Sequence, residues 1–305
     1  MDASVSQLGG YRILGRLAVG GMAEVYQASA LPQTTKSPGE PDEVALKRLL
    51  PSLAVDEAQT ALFVDEARLM VRLRHPHIVR TYRCFKSGED FFIVQELIVG
   101  RSLGFMQSQF VKATTPMPAS ASVYVTWCLL GALDYLHSAR VGEKGANIVH
   151  RDVSPANVLL SVAGEVKLTD FGVSEVEGVS RGEKGALRGT IAYMSPEAVL
   201  GMAVDHRTDL FAAGVVLWEL LANRRLYDGS SDLDVMHKVR DCKAAPVRKY
   251  NLAVPEPLER VVRKALFADR AQRFSTAAEF RRALEVVAHR QGWPLTVEAL
   301  TPLLA

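Results

Sequence analysis

The sequence predicts an α+β protein of two lobes, a small β-rich lobe with one main helix and a larger, mainly helical lobe. Strand-like alternation broken by glycines dominates residues 11–95. Beyond Gly100 the apolar period lengthens to that of amphipathic helices, and the two regimes meet at residues 96–100. With 305 residues, 48% hydrophobic, 23% charged and a net charge of +2, the chain can bury a sizeable core. That composition excludes disorder, collagen-like repeats and a disulfide scaffold. The balanced charge gives no electrostatic basis for nucleic acid as a partner. Cys84, Cys128 and Cys242 are odd in number and far apart, with no CxxC pair. Structural zinc is therefore not expected, and a reducing cytoplasm is the default.

Tyr11 to Ala30 reads as two strands around Gly20-Gly21. Leu31 to Glu43 holds Pro32, Pro38 and Pro41 and reads as an exposed loop, after which Val44 to Lys47 resumes a strand. From about Val55 to Arg74 the period is helical, with Leu62, Phe63, Met70 and Leu73 on one side. Strands follow around Ile78–Cys84 and Phe91–Gln95. Ser120 to Ser138 is a long amphipathic helix, and Val158–Leu160 and Val166–Leu168 are short strands. Residues 171–197 are Gly-rich and weakly periodic, which marks a functional or disordered loop. Helices are expected at 205–222, 232–240, 257–267 and 276–290. The apolar run Leu210 to Ala222 is interrupted by Glu219 and falls short of the about 20 residues a membrane span needs. No basic, apolar leader opens at Met1-Asp2-Ala3-Ser4, so neither export nor membrane insertion is expected. Trp127, Trp218 and Trp293 read as core. The histidines show no metal-ligand spacing. The tail 290–305 has two open readings, a cap on the large lobe or a partner contact.

Five segments carry the chemistry. They are Leu17-Ala18-Val19-Gly20-Gly21-Met22-Ala23-Glu24-Val25; Val44-Ala45-Leu46-Lys47; His150-Arg151-Asp152-Val153-Ser154-Pro155-Ala156-Asn157; Asp170-Phe171-Gly172; and Gly189-Thr190 leading to Ser195-Pro196-Glu197. In this order and spacing the chain resembles the eukaryotic-like, Hanks-type serine/threonine protein kinases of bacteria over residues 9–289. The resemblance implies the bilobal protein-kinase fold, with an N-lobe at 9–95, a hinge at 96–100 and a C-lobe at 101–289. It also implies transfer of the γ-phosphate of ATP to serine and threonine hydroxyls of protein substrates, with Mg²⁺ required and self-association for autophosphorylation as a further partner mode.

Glycine lets backbone N–H groups approach phosphates, which a loop over a nucleotide needs. Ala18 and Ala23 replace the first and third glycines of the family pattern and Gly20 remains, so function with altered nucleotide affinity is expected. Strand alternation puts Ala45 and Lys47 on one face, a small residue beside a cation, as an adenine and its phosphates require. Glu66 stands in the apolar stripe of its helix, where a carboxylate needs a partner, and the family supplies Lys47. By the same resemblance Asp152 handles the proton of the substrate hydroxyl, while Asn157 and Asp170 hold metal. Glu96 and Ile98 bond adenine through their backbones; Leu17, Val25, Ala45 and Leu159 sandwich its ring; Gln95 is a polar gatekeeper. Glu197 is expected to pair with Arg273, and Asp209 to brace the catalytic loop, both as architecture.

Ser154 departs from the lysine usual in serine/threonine kinases and removes one phosphate-directed charge, so a lowered turnover is expected. Two other readings stand beside the active kinase. One is a nucleotide-binding pseudokinase or scaffold, which Ser154 and the two alanines favour. The other is a small-molecule phosphotransferase, which the Thr190…Ser195-Pro196-Glu197 segment opposes. No P-loop pattern occurs.

In this family an arginine before the catalytic aspartate, here Arg151, is neutralised by a phosphorylated residue of the activation segment. Among the hydroxyls Ser174, Ser180 and Thr190, Ser180 beside Arg181 is the best phosphosite, and Glu183 is the candidate for a permanent acidic substitute. The two options separate in a radiolabel transfer assay. A phosphoswitch predicts a several-fold loss on Ser180→Ala and on phosphatase treatment; a permanent acid predicts silence in both and a loss on Glu183→Gln.

Overall fold

The alternating stretch from Tyr11 onward becomes an antiparallel sheet in the computed structural model, which describes residues 7–139, 148–170, 191–300 and 303. The described chain divides into two units, residues 7–99 and residues 100–303. The first has six strands in the order β1-β2-β3-β4-β6-β5, with β1 Gln7–Leu8, β2 Tyr11–Val19, β3 Ala23–Ala30, β4 Glu43–Leu49, β5 Thr81–Ser87 and β6 Asp90–Gln95. Period-two alternation gives this sheet two apolar faces. Tyr11, Ala28, Val44, Leu46, Phe92 and Val94 pack on one. Ala23, Leu49 and Ile93 occupy the other, under Phe63 and Ala67 of a helix.

That helix, expected over about 55–74, is α2, Glu57–Met70, begun by Asp56, and it is preceded by a one-turn α1, Pro51–Ala54, with proline at N1. The Asp56 carboxylate accepts from the N–H groups of Ala58 and Gln59, satisfying two donors that a helix start otherwise leaves without partners. The Leu31–Glu43 connection differs in another way. It is a loop, but Glu40 within it is buried. Its carboxylate accepts from Tyr11 Oη, from Arg83 Nε at 3.0 Å and from the Ser37 N–H at 2.9 Å. Burial, followed by the bond to Glu40, pushes the Tyr11 hydroxyl well above its usual pKa. The loop is thus pinned to the sheet by an ion pair that its proline-rich composition hides.

The second unit opens with β7, Gly100–Ser102, which pairs with β8, Val158–Ser161, and through it with β9, Val166–Leu168. A Cβ on Gly100 would lie 1.9 Å from the Leu160 carbonyl oxygen, so only glycine permits this pairing. The helices are α3 Leu103–Lys112, α4 Ala119–Ser138, α5 Pro196–Val199, α6 Arg207–Ala222, α7 Asp232–Asp241, α8 Glu256–Ala265 and α9 Ala277–Gln291. α4 is long and apolar enough to cross a membrane by composition, yet most of it is buried, packed by α6 and α9. Glu219, the charge inside the apolar run of α6, is fully buried and accepts from Tyr193 Oη at 2.8 Å, Gln107 Nε2 at 3.0 Å and the Leu226 N–H at 3.0 Å.

Trp218 is buried, whereas Trp127 is only partly so: its Nε1 donates to Glu285 at 2.8 Å, with the Arg281 guanidinium 3.8 Å from its ring. In the tail, Leu300 is fully buried and the turn Val297–Ala299 packs on α4. The tail therefore caps this unit.

The expected pair between Glu197 and Arg273 is present and bidentate, 2.7 Å at each contact, with the Arg273 side chain fully buried. Burial, the largest single influence, would raise the Glu197 carboxyl; the hydrogen bonds and charge of Arg273, with bonds from its own backbone N–H and from Ser195, together outweigh it and hold the pKa below the ordinary value. A depressed carboxylate stabilises the fold above its unfolded-state pKa, and that stability is lost as pH falls through the lower folded-state value. Arg273→Met, which strands the carboxylate, should cost about 3–5 kcal/mol in urea denaturation at neutral pH. The deficit relative to wild type should shrink as pH falls below the glutamate range; a pH-independent deficit would show that the pair is not its source.

Candidate active site

In the first unit β3 and β4 set the register: Val25 opposes Lys47, Gln27 opposes Ala45, and Ala45 in turn opposes Gln95 of β6. Opposed residues of an antiparallel ladder share a face. Val25, Ala45 and Lys47 therefore lie together, on the face that α2 covers further along at Leu49 and Ile93. Glu66 projects from the buried side of α2, and its Oε1 is 3.8 Å from Lys47 Nζ, with both side chains about nine-tenths buried. The pair predicted from one misplaced carboxylate is thus formed.

The turn Gly20–Met22 is closed by the Gly20 N–H donating to the Ala23 carbonyl at 2.8 Å. A Cβ on Gly21 would meet nothing within 4 Å, and one on Gly20 would make ordinary contact only. Packing inside the unit does not demand glycine at either position; close approach by a ligand would. Ala23 is buried in the α2 core, so its methyl group replaces the family's glycine by packing inward. The apolar side chains of Leu17 and Val19 are more than half exposed. Ala18 pairs with Val25 across the turn. Gln95, the polar gatekeeper, is buried and donates through Nε2 to Thr81 Oγ1 at 3.4 Å, a partner that strand pattern alone does not reveal. After β6, the Glu96 N–H donates to the Arg80 carbonyl at 2.8 Å, and Ile98 follows in an irregular segment.

In the second unit the catalytic loop hangs from the first turn of α6. Asp209, 1% exposed, accepts from the His150 N–H at 2.9 Å and the Arg151 N–H at 2.8 Å. Arg151 itself has φ 64°, and Asp170 has φ 54°. The other non-glycine residues of positive φ among the described residues, Thr114, Asn223 and Cys242, follow helix ends, where that conformation is usual. Arg151 and Asp170 end no helix, so both are strained positions held by their surroundings.

His150 is fully buried and joins the two. Its Nδ1 accepts from the Asp152 N–H at 3.2 Å, so Nε2 carries the proton and donates to the Thr169 carbonyl at 3.2 Å. Burial depresses its pKa, against the opposing pull of the Asp209 carboxylate. Asn157 Nδ2 donates to the Asp152 carbonyl at 2.8 Å and to Asp152 Oδ2 at 3.0 Å. The Asn157 carbonyl accepts from the Thr169 N–H at 2.9 Å, which ties Asn157 to the strand leading into Asp170. Asp152 Oδ1 is buried and has no hydrogen-bond donor among the described residues. Ser154 is buried, and its carbonyl accepts from the Asn157 N–H at 3.1 Å. On β8, Leu159 is partly open while Val158 and Leu160 are buried, so Leu159 faces away from the core.

One participant escaped the sequence reading. His137, dismissed with the other histidines as a metal ligand, places Nε2 2.8 Å from Asp209 Oδ2. Its position at the end of α4 gave no signal, because its partner lies 72 residues away. Phe171, Gly172, Ser174, Ser180, Arg181, Glu183, Gly189 and Thr190 lie outside the described residues.

A family model described as "protein kinase domain" matches residues 11–290. Among curated proteins, the tyrosine-protein kinase MasK of Myxococcus xanthus is 34% identical over 284 residues, covering 91% of this chain and 43% of that protein. The serine/threonine-protein kinase PrkC of Bacillus subtilis is 29% identical over 272 residues, covering 89% and 39%. The serine/threonine-protein kinase PknL of Mycobacterium tuberculosis is 33% identical over 285 residues, covering 93% and 67%. The chain thus spans about two fifths of the length of MasK and of PrkC. Among solved structures, the PknI kinase domain of Mycobacterium tuberculosis is similar with a TM-score of 0.68 and 26% identity, covering 94% of this chain and 99% of that one.

The donor set fits a divalent metal of the hard kind. The amide oxygen of Asn157 and the carboxylate of Asp170 offer oxygen donors, and no cluster of three or more His, Cys, Asp or Glu is found among the described residues. Mg²⁺ is ordinarily held in this way, by one or two protein oxygens plus substrate phosphates and water, rather than in an all-protein cage.

Asp209→Ala should leave two loop amides without an acceptor, at about 1–3 kcal/mol each. Chemical denaturation should record the loss, and phosphoryl transfer should fall about tenfold or more as Arg151 relaxes. Wild-type transfer in this variant would mean that the loop keeps its shape without the anchor.

Proposed function

The chain belongs to the protein kinase domain family, and we propose on that basis that it is an ATP-dependent serine/threonine kinase acting on proteins. The observation that carries this reading is the state of Asp152. One carboxylate oxygen is held by Asn157 and the other has no donor among the described residues, which would leave it to accept a hydroxyl proton.

In the proposed mechanism Asp152 Oδ1 accepts the hydrogen bond of a serine or threonine hydroxyl and receives its proton as the hydroxyl oxygen bonds to the γ-phosphorus. The bond from phosphorus to the β–γ bridging oxygen breaks, and ADP leaves. Asn157 keeps Asp152 from rotating. Lys47, aligned by Glu66, would bind the nucleotide phosphates. The Gly20-Gly21 turn with Ala18, Val19, Met22 and Ala23 would cover them, while Leu17, Val25, Ala45 and Leu159 would enclose the adenine and the backbones of Glu96 and Ile98 would bond it. Asn157 and Asp170 would hold Mg²⁺, which supplies neutralisation of phosphate charge. With Ser154 buried in place of a lysine, no cation at that position would reach the transferred group, which supports a reduced turnover.

The proposed catalytic domain spans 9–289, with lobes at 9–95 and 101–289, a hinge at 96–100 and the tail 290–305. Three free cysteines support a cytoplasmic setting. The named relatives include both tyrosine and serine/threonine kinases. Pro155 and Asn157 fit the serine/threonine form of the loop.

Labelled ATP with Mg²⁺ and a generic basic protein, followed by phosphoamino-acid analysis, tests both levels. Phosphoserine and phosphothreonine are expected, and phosphotyrosine alone would overturn the acceptor assignment. Asp152→Ala should lose about a hundredfold or more of the transfer. The rise in melting temperature with ATP·Mg²⁺ should persist in that variant, because the residue acts on the acceptor.

A further inference from the structure

The face formed by α8 and α9 carries charge and apolar surface that phosphoryl transfer does not use. Residues 223–291 contain fifteen lysines and arginines against nine aspartates and glutamates, although the whole chain is only +2. Of that excess, α8 and α9 themselves carry six lysines and arginines against four glutamates. A groove of about 490 Å³ opens between these two helices.

Helix periodicity places Pro257 and Val261 on the groove side of α8, and Ala283, Val286 and Val287 on that of α9. Ala283 leaves the dent between its larger neighbours, and Val286 remains 47% exposed beside it. At one end Lys264 Nζ bonds Glu279 Oε1 at 2.7 Å and lies 4.4 Å from the Phe274 ring, so that end is closed and its charges are satisfied. Arg260 is paired with Glu256 at 2.6 Å. Arg282 on the rim is exposed and has no ion pair among the described residues. The acidic residues around the groove are thus engaged with bases of the same face, and the charge left over is positive.

We propose that this groove docks an acidic, amphipathic segment of a partner protein. One or two of its apolar side chains would seat against Val261, Ala283 and Val286, with carboxylates on Arg282 and, in exchange with Glu256, on Arg260. The groove side of α8 from Pro257 to Lys264 is about 10 Å long at 1.5 Å per residue, which matches two turns of a docked helix. Apolar contact supplies the affinity, and the basic rim selects acidic partners over basic ones.

The probe is a fluorescein-labelled peptide of about twelve residues, with leucines four apart and glutamates elsewhere, titrated against the full chain by fluorescence anisotropy. A counterpart carries lysine in place of each glutamate. Saturable binding of the acidic peptide alone is expected, weakening as salt is raised. Arg282→Glu should weaken it about tenfold, and Ala283→Leu, which fills the dent, by a similar factor. Neither variant should change phosphoryl transfer. The exposed Arg282 keeps the test valid even where Ala283→Leu disturbs folding. Equal binding of the two peptides, no saturable binding, or affinity indifferent to Arg282→Glu would each overturn the proposal. So would concentration-dependent self-association that Ala283→Leu abolishes, since the occupant would then be a second copy.

Discussion

The Asp209 carboxylate is the constraint from which the chemistry of the second unit hangs. A left-handed backbone at Arg151 is costly for any side chain with a Cβ, and it persists because two consecutive N–H groups, of His150 and Arg151, are held by one buried acid. That acid sits in the first turn of α6, whose apolar length is anchored in the core against α4, and His137 of α4 holds its other side. The rigidity of two packed helices is thus transmitted to an irregular loop in which His150 and Val153 are buried while Arg151 is exposed. From there it passes through His150 to Asp152 and Thr169, and through Asn157 to the entry of Asp170.

Buried carboxylates recur as the fastening device. Glu40, Glu197, Glu219 and Asp209 each lie in a place where an unpaired charge would be expensive, and each accepts from two or more donors of distant sequence position. Such pairs add little net stability over apolar packing, but they tolerate only one geometry. Glu40 fixes a proline-rich loop that apolar contacts alone would leave loose, and Glu197 with Arg273 binds the segment before α9 to α5. Glu66 belongs with them in burial, facing Lys47.

The departures from the family pattern are absorbed locally. Ala23 has turned a glycine position into a core contact, while a Cβ on Gly20 would touch only the Ala23 carbonyl oxygen and one on Gly21 no described atom within 4 Å. Ser154 is buried and contributes only its backbone to the loop, so its substitution alters charge and leaves the loop fold intact. Gln95 finds Thr81, and a polar gatekeeper is thereby accommodated without an unsatisfied amide nitrogen.

Local pattern determined a great deal by itself. Periodicity located β2, β3, β8, β9, α4 and α6 to α9 to within a residue or two, because each buries one face and its spacing records which, whereas α3 and the one-turn α5 were not singled out. The order of the short motifs singled out Lys47, Asp152, Asn157 and Asp170, because their chemistry needs those residue types. Glu66 was legible for the opposite reason, as a charge where the pattern demanded an apolar residue. What only the tertiary structure decided is how those residues are held. The depth of Glu40 depends on Tyr11 and Arg83, 29 and 43 residues away. The bond of His137 to Asp209 and the docking of the tail on α4 leave no periodic trace, since a side chain's partner across the fold is set by how helices and strands pack.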